Sequence, residues 1–390
     1  MIVNLWYVAE WSKTVQAEPV HVKMLGQDFV LYRDDTGKVH CLSDVCLHRG
    51  GALSGGWNKG DTVACPYHGW RFNGDGCVTF IPSEGEDFTP PDRARIDAYP
   101  TQEAYGMVWV FLGDVPEEER FPLPELPEYE DPNWKAITDE WTWKAEAARV
   151  VENGIDIAHA SFVHPMFGME ATAQENHIVS VEKNDYHGKS ENLQYPPAFK
   201  DGGFFRRRMR KERQPTVTKP EWFLNGMTVR IQIDINPKMS IVMFDANTPI
   251  DEHTTRTFAT QFRSFFKHDF FDGGSRKRLR KIFAEDTVIV ERAAPNYLPE
   301  RLMHEMSVKD DKFMSTFRTA RRRLIEQKGW QIDSSGVAEH KGRKVLTIPS
   351  PGRREHPEID WVIDTVPLVP PVTQPAPLNP VPSEDDEAAA

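Results

Sequence analysis

Four potential metal ligands stand in two close pairs near the start of the chain, and they constrain its fold more than any other feature. Cys46 and His48 form the first pair, and after sixteen further residues Cys65 and His68 form the second. Each pair is short enough to come from one loop, so two loops are expected to meet around a common centre. Thiolates and imidazoles in equal number suit a tetrahedral zinc site. They also suit a [2Fe–2S] cluster with one iron held by thiolates and the other by imidazoles.

The surroundings of the two pairs favour the iron–sulfur cluster over zinc. Eight glycines lie between Cys46 and Cys77, as expected of tight loops wrapped around a buried object. The segment also lies within a predicted β unit rather than in the hairpin and helix of a zinc finger. Cys41 and Cys77 belong to no Cys–His pair and are predicted to be core or free thiols. Four cysteines in 390 residues offer no disulfide framework.

A second group of candidate ligands follows in the larger, C-terminal part of the chain. Asp156 and His159 are three residues apart, which puts them on one face of the helix that we predict over residues 143–162. His164 would point elsewhere on a regular helix. Pro165 follows it and disfavours helical backbone at the residue before, so His164 is expected at the helix end, where it can turn back toward His159. Each histidine alone could equally be a buried, hydrogen-bonded side chain.

A site with two histidines usually needs one carboxylate to complete the facial triad that binds Fe(II). Asp286 is the preferred candidate, because an unpaired carboxylate in an apolar stripe would be costly and a metal ion would explain it. The stripe consists of the neighbours at three and four residues' distance, Ile282, Phe283, Ile289 and Val290. Glu285 is the alternative, but Lys281 makes it easier to interpret as a solvated ion-pair partner.

Length and segment composition predict two domains and a tail. We predict an α+β chain with a β domain over residues 1–115 and a larger domain of antiparallel sheet plus helices over 116–366. Residues 367–390 are rich in proline and acidic side chains, so they are predicted to be a flexible tail or an arm lying on a neighbour.

Local patterns predict the main elements of these domains. The turn signal at 34–37 between apolar runs predicts a hairpin. Alternating and helical periodicities predict the further elements. These are strands over 229–235, 240–244 and 255–266, and helices over 275–293 and 309–328.

Charge and hydropathy limit the partners of the chain. A net charge of −12 and a pI near 5.6 argue against a nucleic-acid partner. No apolar run reaches the roughly 18 residues of a membrane span, and the N-terminus lacks signal-peptide features, so a cytoplasmic location without membrane contact is expected. Basic runs at 206–211, 276–281 and 321–323 are solvated faces or a docking patch for an acidic electron donor.

Several motifs together resemble one enzyme family. The strings Cys46-Leu47-His48-Arg49-Gly50 and Cys65-Pro66-Tyr67-His68-Gly69-Trp70 resemble the two cluster-binding loops of the Rieske family. With Asn153-x-x-Asp156-x-x-His159-x4-His164 and Glu285-Asp286, they resemble the terminal oxygenase α-subunits of Rieske non-haem iron ring-hydroxylating oxygenases. The likeness is greatest to the α-only branch that includes dicamba and vanillate demethylases. The segment 361–371 resembles instead the end of chlorophyll-type and toxin-tailoring oxygenases.

This resemblance implies the roles of the candidate residues. A Rieske domain, with Cys46, His48, Cys65 and His68 as ligands of a [2Fe–2S] cluster, would be joined to a helix-grip catalytic domain. His159, His164 and Asp286 would bind a mononuclear Fe(II). Asp156 would bridge the two metal centres between neighbouring chains of a head-to-tail homotrimer that has no separate β-subunit.

The resemblance also implies the reaction. Electrons would come ultimately from NAD(P)H through a ferredoxin or a ferredoxin reductase, with O2 as co-substrate. The product would be a hydroxylated, dihydroxylated or oxidatively dealkylated small molecule, hydrophobic and aromatic in character. Two alternatives are a Rieske electron-transfer protein without oxygenase activity of its own and a zinc-stabilised binding protein.

Overall fold

The structure is a computed structural model that describes residues 1–164, 177–194, 216–299 and 302–372. The basic run at 206–211 and residues 373–390 of the predicted tail lie outside these ranges. The described part divides into an N-terminal region of three small sheets and a C-terminal region with one large sheet and helices.

The N-terminal sheets are built from short strands. A three-stranded sheet has the order β1-β11-β10, and two four-stranded sheets have the orders β2-β3-β4-β9 and β5-β6-β7-β8. The strands are β1 Leu5–Trp11, β2 Val20–Met24, β3 Gln27–Arg33, β4 Val39–Ser43, β5 Trp57–Asn58, β6 Thr62–Ala64, β7 Arg71–Asn73, β8 Val78–Phe80, β9 Ala98–Tyr99, β10 Thr101–Ala104 and β11 Met107–Leu112.

The predicted hairpin around residues 34–37 is confirmed. β3 and β4 pair antiparallel, with Tyr32 opposite His40. Asp34 closes the turn, because its Oδ1 accepts from the amides of Thr36 (2.9 Å) and Lys38 (3.0 Å), as aspartate commonly does in turns.

The C-terminal region is organised by a seven-stranded antiparallel sheet with the order β12-β18-β17-β16-β15-β14-β13. The predicted strands are confirmed within β16, β17 and β18. Side chains alternate between the two faces of β16, so Val229, Ile231 and Ile233 lie on one face of the sheet. This face forms the wall of a cavity. The strands are β12 Lys135–Trp143, β13 His177–Lys183, β14 His187–Gln194, β15 Thr216–Phe223, β16 Thr228–Asn236, β17 Met239–Pro249 and β18 Thr255–Arg263.

Six α-helices accompany the sheets in the described ranges. They are α1 Ala147–Ile155, α2 Ala160–Val163, α3 Asp272–Val290, α4 Lys312–Glu326, α5 Ser334–His340 and α6 Pro351–Glu355. The predicted helices over 275–293 and 309–328 are confirmed as α3 and α4. Among the helices of the described ranges, none has the length and hydropathy needed to cross a bilayer.

The single helix predicted over 143–162 is wrong. Trp143 is the last residue of β12, and α1 ends at Ile155 because Asp156 adopts an extended backbone (φ −75°, ψ 114°). His159 lies just before the one-turn helix α2. Asp156 and His159 therefore do not share a helix face, although the loop between α1 and α2 still keeps their side chains close.

One hydrophobic core joins the two regions. Trp109 of β11 and Trp222 of β15 are both fully buried within it. Buried hydrogen bonds cross the same boundary: Trp6 donates its amide to Asn225 Oδ1 (3.1 Å), and Thr248 donates its hydroxyl to the carbonyl of Val8 (2.7 Å). The small N-terminal sheets are thereby held against the large sheet.

The C-terminal segment returns to the N-terminal region. Arg353 of α6 donates two hydrogen bonds to Asp97, which is 0% exposed. β19 Leu346–Thr347 and β20 Asp364–Thr365 form a parallel pair beside it. Val369 and Val372 donate backbone hydrogen bonds to Gln331 and Glu326, so the first residues of the predicted tail lie against their own chain. The domain boundaries at 115 and 366 remain predictions.

Candidate metal centres and cavity

The two Cys–His pairs lie in loops that share one backbone pattern. In each loop the glycine four residues after the cysteine is left-handed and donates its amide to the cysteine carbonyl. Gly50 donates to Cys46 (2.8 Å) and Gly69 to Cys65 (3.0 Å), with φ values of 70° and 74°. Glycine suits this conformation because it lacks a Cβ. The glycines that the sequence singled out thus shape both loops.

These loops bring the four predicted cluster ligands to one place, with both thiols buried and the imidazoles closer to the surface. Cys46 and Cys65 are buried, whereas His68 is exposed. The rings of His48 and His68 have centroids 4.5 Å apart, and His48 stacks on Trp70. His48 Nδ1 is buried and has no hydrogen-bond partner among the described residues. Two thiols and two imidazoles in this arrangement fit a [2Fe–2S] cluster.

The electrostatics of the thiols also favour a bound cation. Burial raises the pKa of the Cys46 thiol to about 12, and the neighbouring Cys65 thiol adds to the shift. Hydrogen bonds from the amides of His48 and Arg49 act in the opposite direction. Thiolates are the form that binds metal, so positive charge from iron would stabilise the ionised pair.

His159, His164 and Asp286 converge on one point between α2 and α3. The Nε2 atoms of His159 and His164 lie 3.4 Å and 3.2 Å from Asp286 Oδ1. One ligand atom from each of the three lies within 4.8 Å of the others. Asp286 Oδ1 is buried without a hydrogen-bond partner in the described chain. Two imidazoles and one carboxylate are the donor set of a facial triad for Fe(II).

The electrostatics of His159 and Asp286 favour a bound cation. Burial opposes protonation of His159, but its contacts with Asp156 and Asp286 raise its pKa to about 9. Burial likewise opposes ionisation of Asp286, and the two histidines beside its Oδ1 lower the pKa of this carboxyl. The carboxylate thus needs a positive partner, which a divalent ion would supply in place of a proton.

A further carboxylate contacts each histidine on the side away from Asp286. Asp156 Oδ2 lies 3.7 Å from His159 Nδ1, and Glu285 Oε2 lies 3.0 Å from His164 Nδ1. Carboxylates in this position orient metal-ligating imidazoles. The sequence offered Glu285 as the alternative carboxylate ligand and favoured an ion pair with Lys281 for it, and that contact exists at 3.6 Å. The adjacency of Glu285 to Asp286 was the signal that could have revealed its contact with His164.

A cavity of about 710 Å³ opens from this group along the large sheet. Its wall is mostly apolar, with Val229, Ile231 and Met243 on the sheet and Phe283 on α3. Polar side chains interrupt the wall at a few positions, which none of the motifs pointed to: Asp245, Asn247, Thr257, Gln261 and Arg263. Concave apolar cavities with a few polar groups are typical of small-molecule sites.

The described basic runs are mostly paired within the chain. Arg280 donates two hydrogen bonds to Asp139, and Arg276 Nε lies 3.9 Å from the same carboxylate. Arg321 forms an ion pair with Glu146, and Arg323 with Asp185. The two interpretations of these runs, solvated faces or a docking patch for an electron donor, both stay predictions.

Comparisons with known proteins agree with this arrangement. Residues 5–100 match the Rieske [2Fe-2S] domain family, and residues 143–327 match the family described as vanillate O-demethylase oxygenase C-terminal domain. The chain belongs to the Rieske oxygenases. The two matched segments contain all the candidate ligands of this Rieske oxygenase, in the order of cluster loops first and triad second.

Individual relatives extend this comparison. The chain is 38% identical over 159 residues to the 4beta-methylsterol monooxygenase of Methylococcus capsulatus, an alignment that spans 40% of this chain and 43% of that protein. It is 26% identical over 323 residues to methylxanthine N1-demethylase NdmA of Pseudomonas putida, spanning 79% and 83%. The structure of dicamba monooxygenase with 3,6-dichlorosalicylic acid is similar in fold, with a TM-score of 0.68, 21% identity and coverage of 84% and 98%.

Proposed function

We propose that this Rieske oxygenase is a terminal oxygenase that hydroxylates, dihydroxylates or oxidatively dealkylates an apolar small molecule. The observation that carries the proposal is the position of His159, His164 and Asp286 at one end of the apolar cavity. A triad with open coordination positions next to a cavity suits O2 chemistry on a bound substrate.

Each metal centre has its own set of residues in this proposal. Cys46, His48, Cys65 and His68 hold the [2Fe–2S] cluster, and His159, His164 and Asp286 hold the mononuclear iron. When bound, the cluster supplies electrons singly and the iron supplies the activation of O2. Electrons reach the chain from a ferredoxin or a reductase, ultimately from NAD(P)H.

The protein side chains contribute positioning and exclusion of water. Glu285 accepts from the outer nitrogen of His164 and so fixes its ring orientation, and Asp156 lies 3.7 Å from the outer nitrogen of His159. The apolar wall formed by Val229, Ile231 and Met243 disfavours water next to the triad. A substrate in the cavity is thus oriented against the triad in a largely dry site.

Metal analysis combined with O2 uptake tests the proposal. Purified protein is expected to be red-brown and to contain about three irons and two acid-labile sulfides per chain, two of the irons in the cluster. Cys46→Ser should lose the colour. His159→Ala should keep the colour but lose substrate-dependent O2 uptake with a reductase. Zinc as the only metal would refute the proposal, and colour without any O2 uptake in a broad substrate screen would favour the electron-transfer alternative.

A further inference from the structure

We propose that the cavity takes an elongated apolar molecule with two polar ends, a hydroxyl or amine bound by Asp245 and an acid group bound by Arg263. This inference deepens the proposed function, on which it rests, by naming the substrate class. It is carried by two buried polar side chains that line the cavity and that, among the described residues, lack partners for part of their hydrogen-bonding capacity.

Asp245 would bind the hydroxyl or amine end of the molecule. It is 8% exposed, lines the cavity, and its carboxyl group has no hydrogen-bond partner among the described residues. A buried carboxyl without a partner is costly unless something else completes it.

Asp245 lies at the end of the cavity nearest the triad. Val229 is directly opposite Asp245 in the sheet. The methyl groups of Val229 come within 3.2 Å of where a Cβ atom on Gly154 would lie, two residues before Asp156. A hydroxyl or amine held by Asp245 would therefore bring the adjoining carbon atoms close to the triad.

Arg263 would bind the acid group at the other end of the molecule. It is 3% exposed, and it donates Nε to the carbonyl of Phe266 (3.0 Å) and Nη2 to Asp272. Nη1 has no acceptor among the described residues, although the residue lines the cavity. A guanidinium nitrogen that still needs an acceptor suits a carboxylate or another oxyanion.

The register of the sheet sets the distance between the two ends. Arg263 is opposite Ile241, four residues from Asp245 on the same strand and on the same face. At about 3.4 Å per residue the two strand positions are separated by about 14 Å along the wall. The wall between them is apolar at Ile233 and Met243, and its polar interruption is Gln261. The cavity thus matches a long molecule with an apolar middle.

Calorimetric titration of the oxidised, cluster-containing protein without reductant tests this directly. Two probes, 12-hydroxydodecanoate and 12-aminododecanoate, carry an acid group at one end and a hydroxyl or amine at the other. Dodecanoate lacks the hydroxyl or amine, and 1,12-dodecanediol lacks the acid group. A two-ended probe is expected to bind about ten-fold more tightly than either of the others. The stronger of the hydroxyl and amine probes identifies the donor that Asp245 prefers.

Two variants test which side chain binds which polar group of the probe. Asp245→Leu should abolish the preference for 12-hydroxydodecanoate over dodecanoate, whereas the matched control Met239→Leu, on the same strand but outside the cavity lining, should keep it. Arg263→Met should abolish the preference for the hydroxy acid over the diol. Equal binding of all probes to the wild type, or an unchanged preference in Asp245→Leu, would overturn the inference.

The titration is independent of turnover, so it can fail separately from the proposed function. If the protein contains iron and takes up O2 but does not prefer the two-ended probes, only the proposed substrate class is overturned. If the protein prefers the two-ended probes but takes up no O2, the binding site is supported and the proposed oxygenase function is overturned.

Discussion

Glu285 and Asp286, consecutive residues of α3, approach opposite nitrogens of the same imidazole. Glu285 Oε2 lies 3.0 Å from His164 Nδ1, and Asp286 Oδ1 lies 3.2 Å from His164 Nε2. In the proposed iron site, the helix would offer Asp286 as a metal ligand and Glu285 as the group that orients His164, a second ligand.

The first prediction concerns this orienting contact. Glu285→Gln removes the charged acceptor, and we expect the affinity for the mononuclear iron to fall about 10- to 100-fold. Iron content after dialysis against a weak chelator measures the effect, with the cluster absorbance unchanged. Glu291→Gln, near the end of the same helix, is the matched control. Full iron retention in Glu285→Gln would contradict the orienting role.

The second prediction concerns Asp156 as the connection between the metal centres. Its Oδ1 accepts from the amide of Ala158 (2.8 Å), and Oδ2 faces His159. Its side chain is 27% exposed, which leaves it accessible to a cluster histidine of a neighbouring chain, for which we favour the exposed His68. Asp156→Asn should bind both metals, but its reduced cluster should persist when O2 and substrate are added. Rapid reoxidation with product would refute the connection, and loss of iron would favour an orienting role.

The third prediction is a homotrimer: the connection through Asp156 requires an oligomer, and the family resemblance implies three chains. Light scattering after size-exclusion chromatography should give about three times the mass of one chain. Concentration-dependent dissociation should lower turnover per chain, because each cluster would lose its neighbour's triad. A monomer with full turnover would contradict this prediction.

The fourth prediction concerns the attachment of the C-terminal segment. Asp97 is fully buried and accepts hydrogen bonds from Thr347, Ser350 and Arg353. Arg353→Ala leaves a buried carboxylate without its cation, so we expect a loss of about 3–5 kcal/mol in the free energy of unfolding. Arg354→Ala is the matched control: this neighbour is mainly exposed and pairs with Asp114, so a loss below about 1 kcal/mol is expected. Urea denaturation compares the two, and equal losses would disprove the assignment.

The fifth prediction is a pH dependence at Asp139, which joins β12 to the triad helix α3 through Arg280. Burial opposes ionisation of Asp139, but the hydrogen bonds from Arg280 and the amide of Glu140 lower its pKa. A carboxyl whose pKa is lowered by folding stabilises the fold above its unfolded pKa and loses this effect as pH falls. Asp139→Asn should therefore destabilise the protein more at pH 7 than below about pH 4. Urea denaturation at both values checks this, and a pH-independent difference would contradict it.

Local patterns were sufficient for much of the fold and for the candidate ligands. The hairpin at Asp34, the strand alternation of β16 and the apolar periodicity of α3 depend on neighbours in sequence, so composition and spacing predict them. The helix predicted over 143–162 failed because the extended backbone at Asp156 is not visible in side-chain periodicity.

The sequence by itself determined the donor chemistry, because ligand type and close spacing within a loop are local properties. It paired Cys with His twice, and it marked His159, His164 and Asp286 as one candidate set. Tertiary structure alone decided which groups meet across long separations, such as Asp97 with Arg353, 256 residues apart. It also decided that Asp245 and Arg263 share one cavity wall, because side chains face the same cavity only after the register of β17 and β18 is fixed.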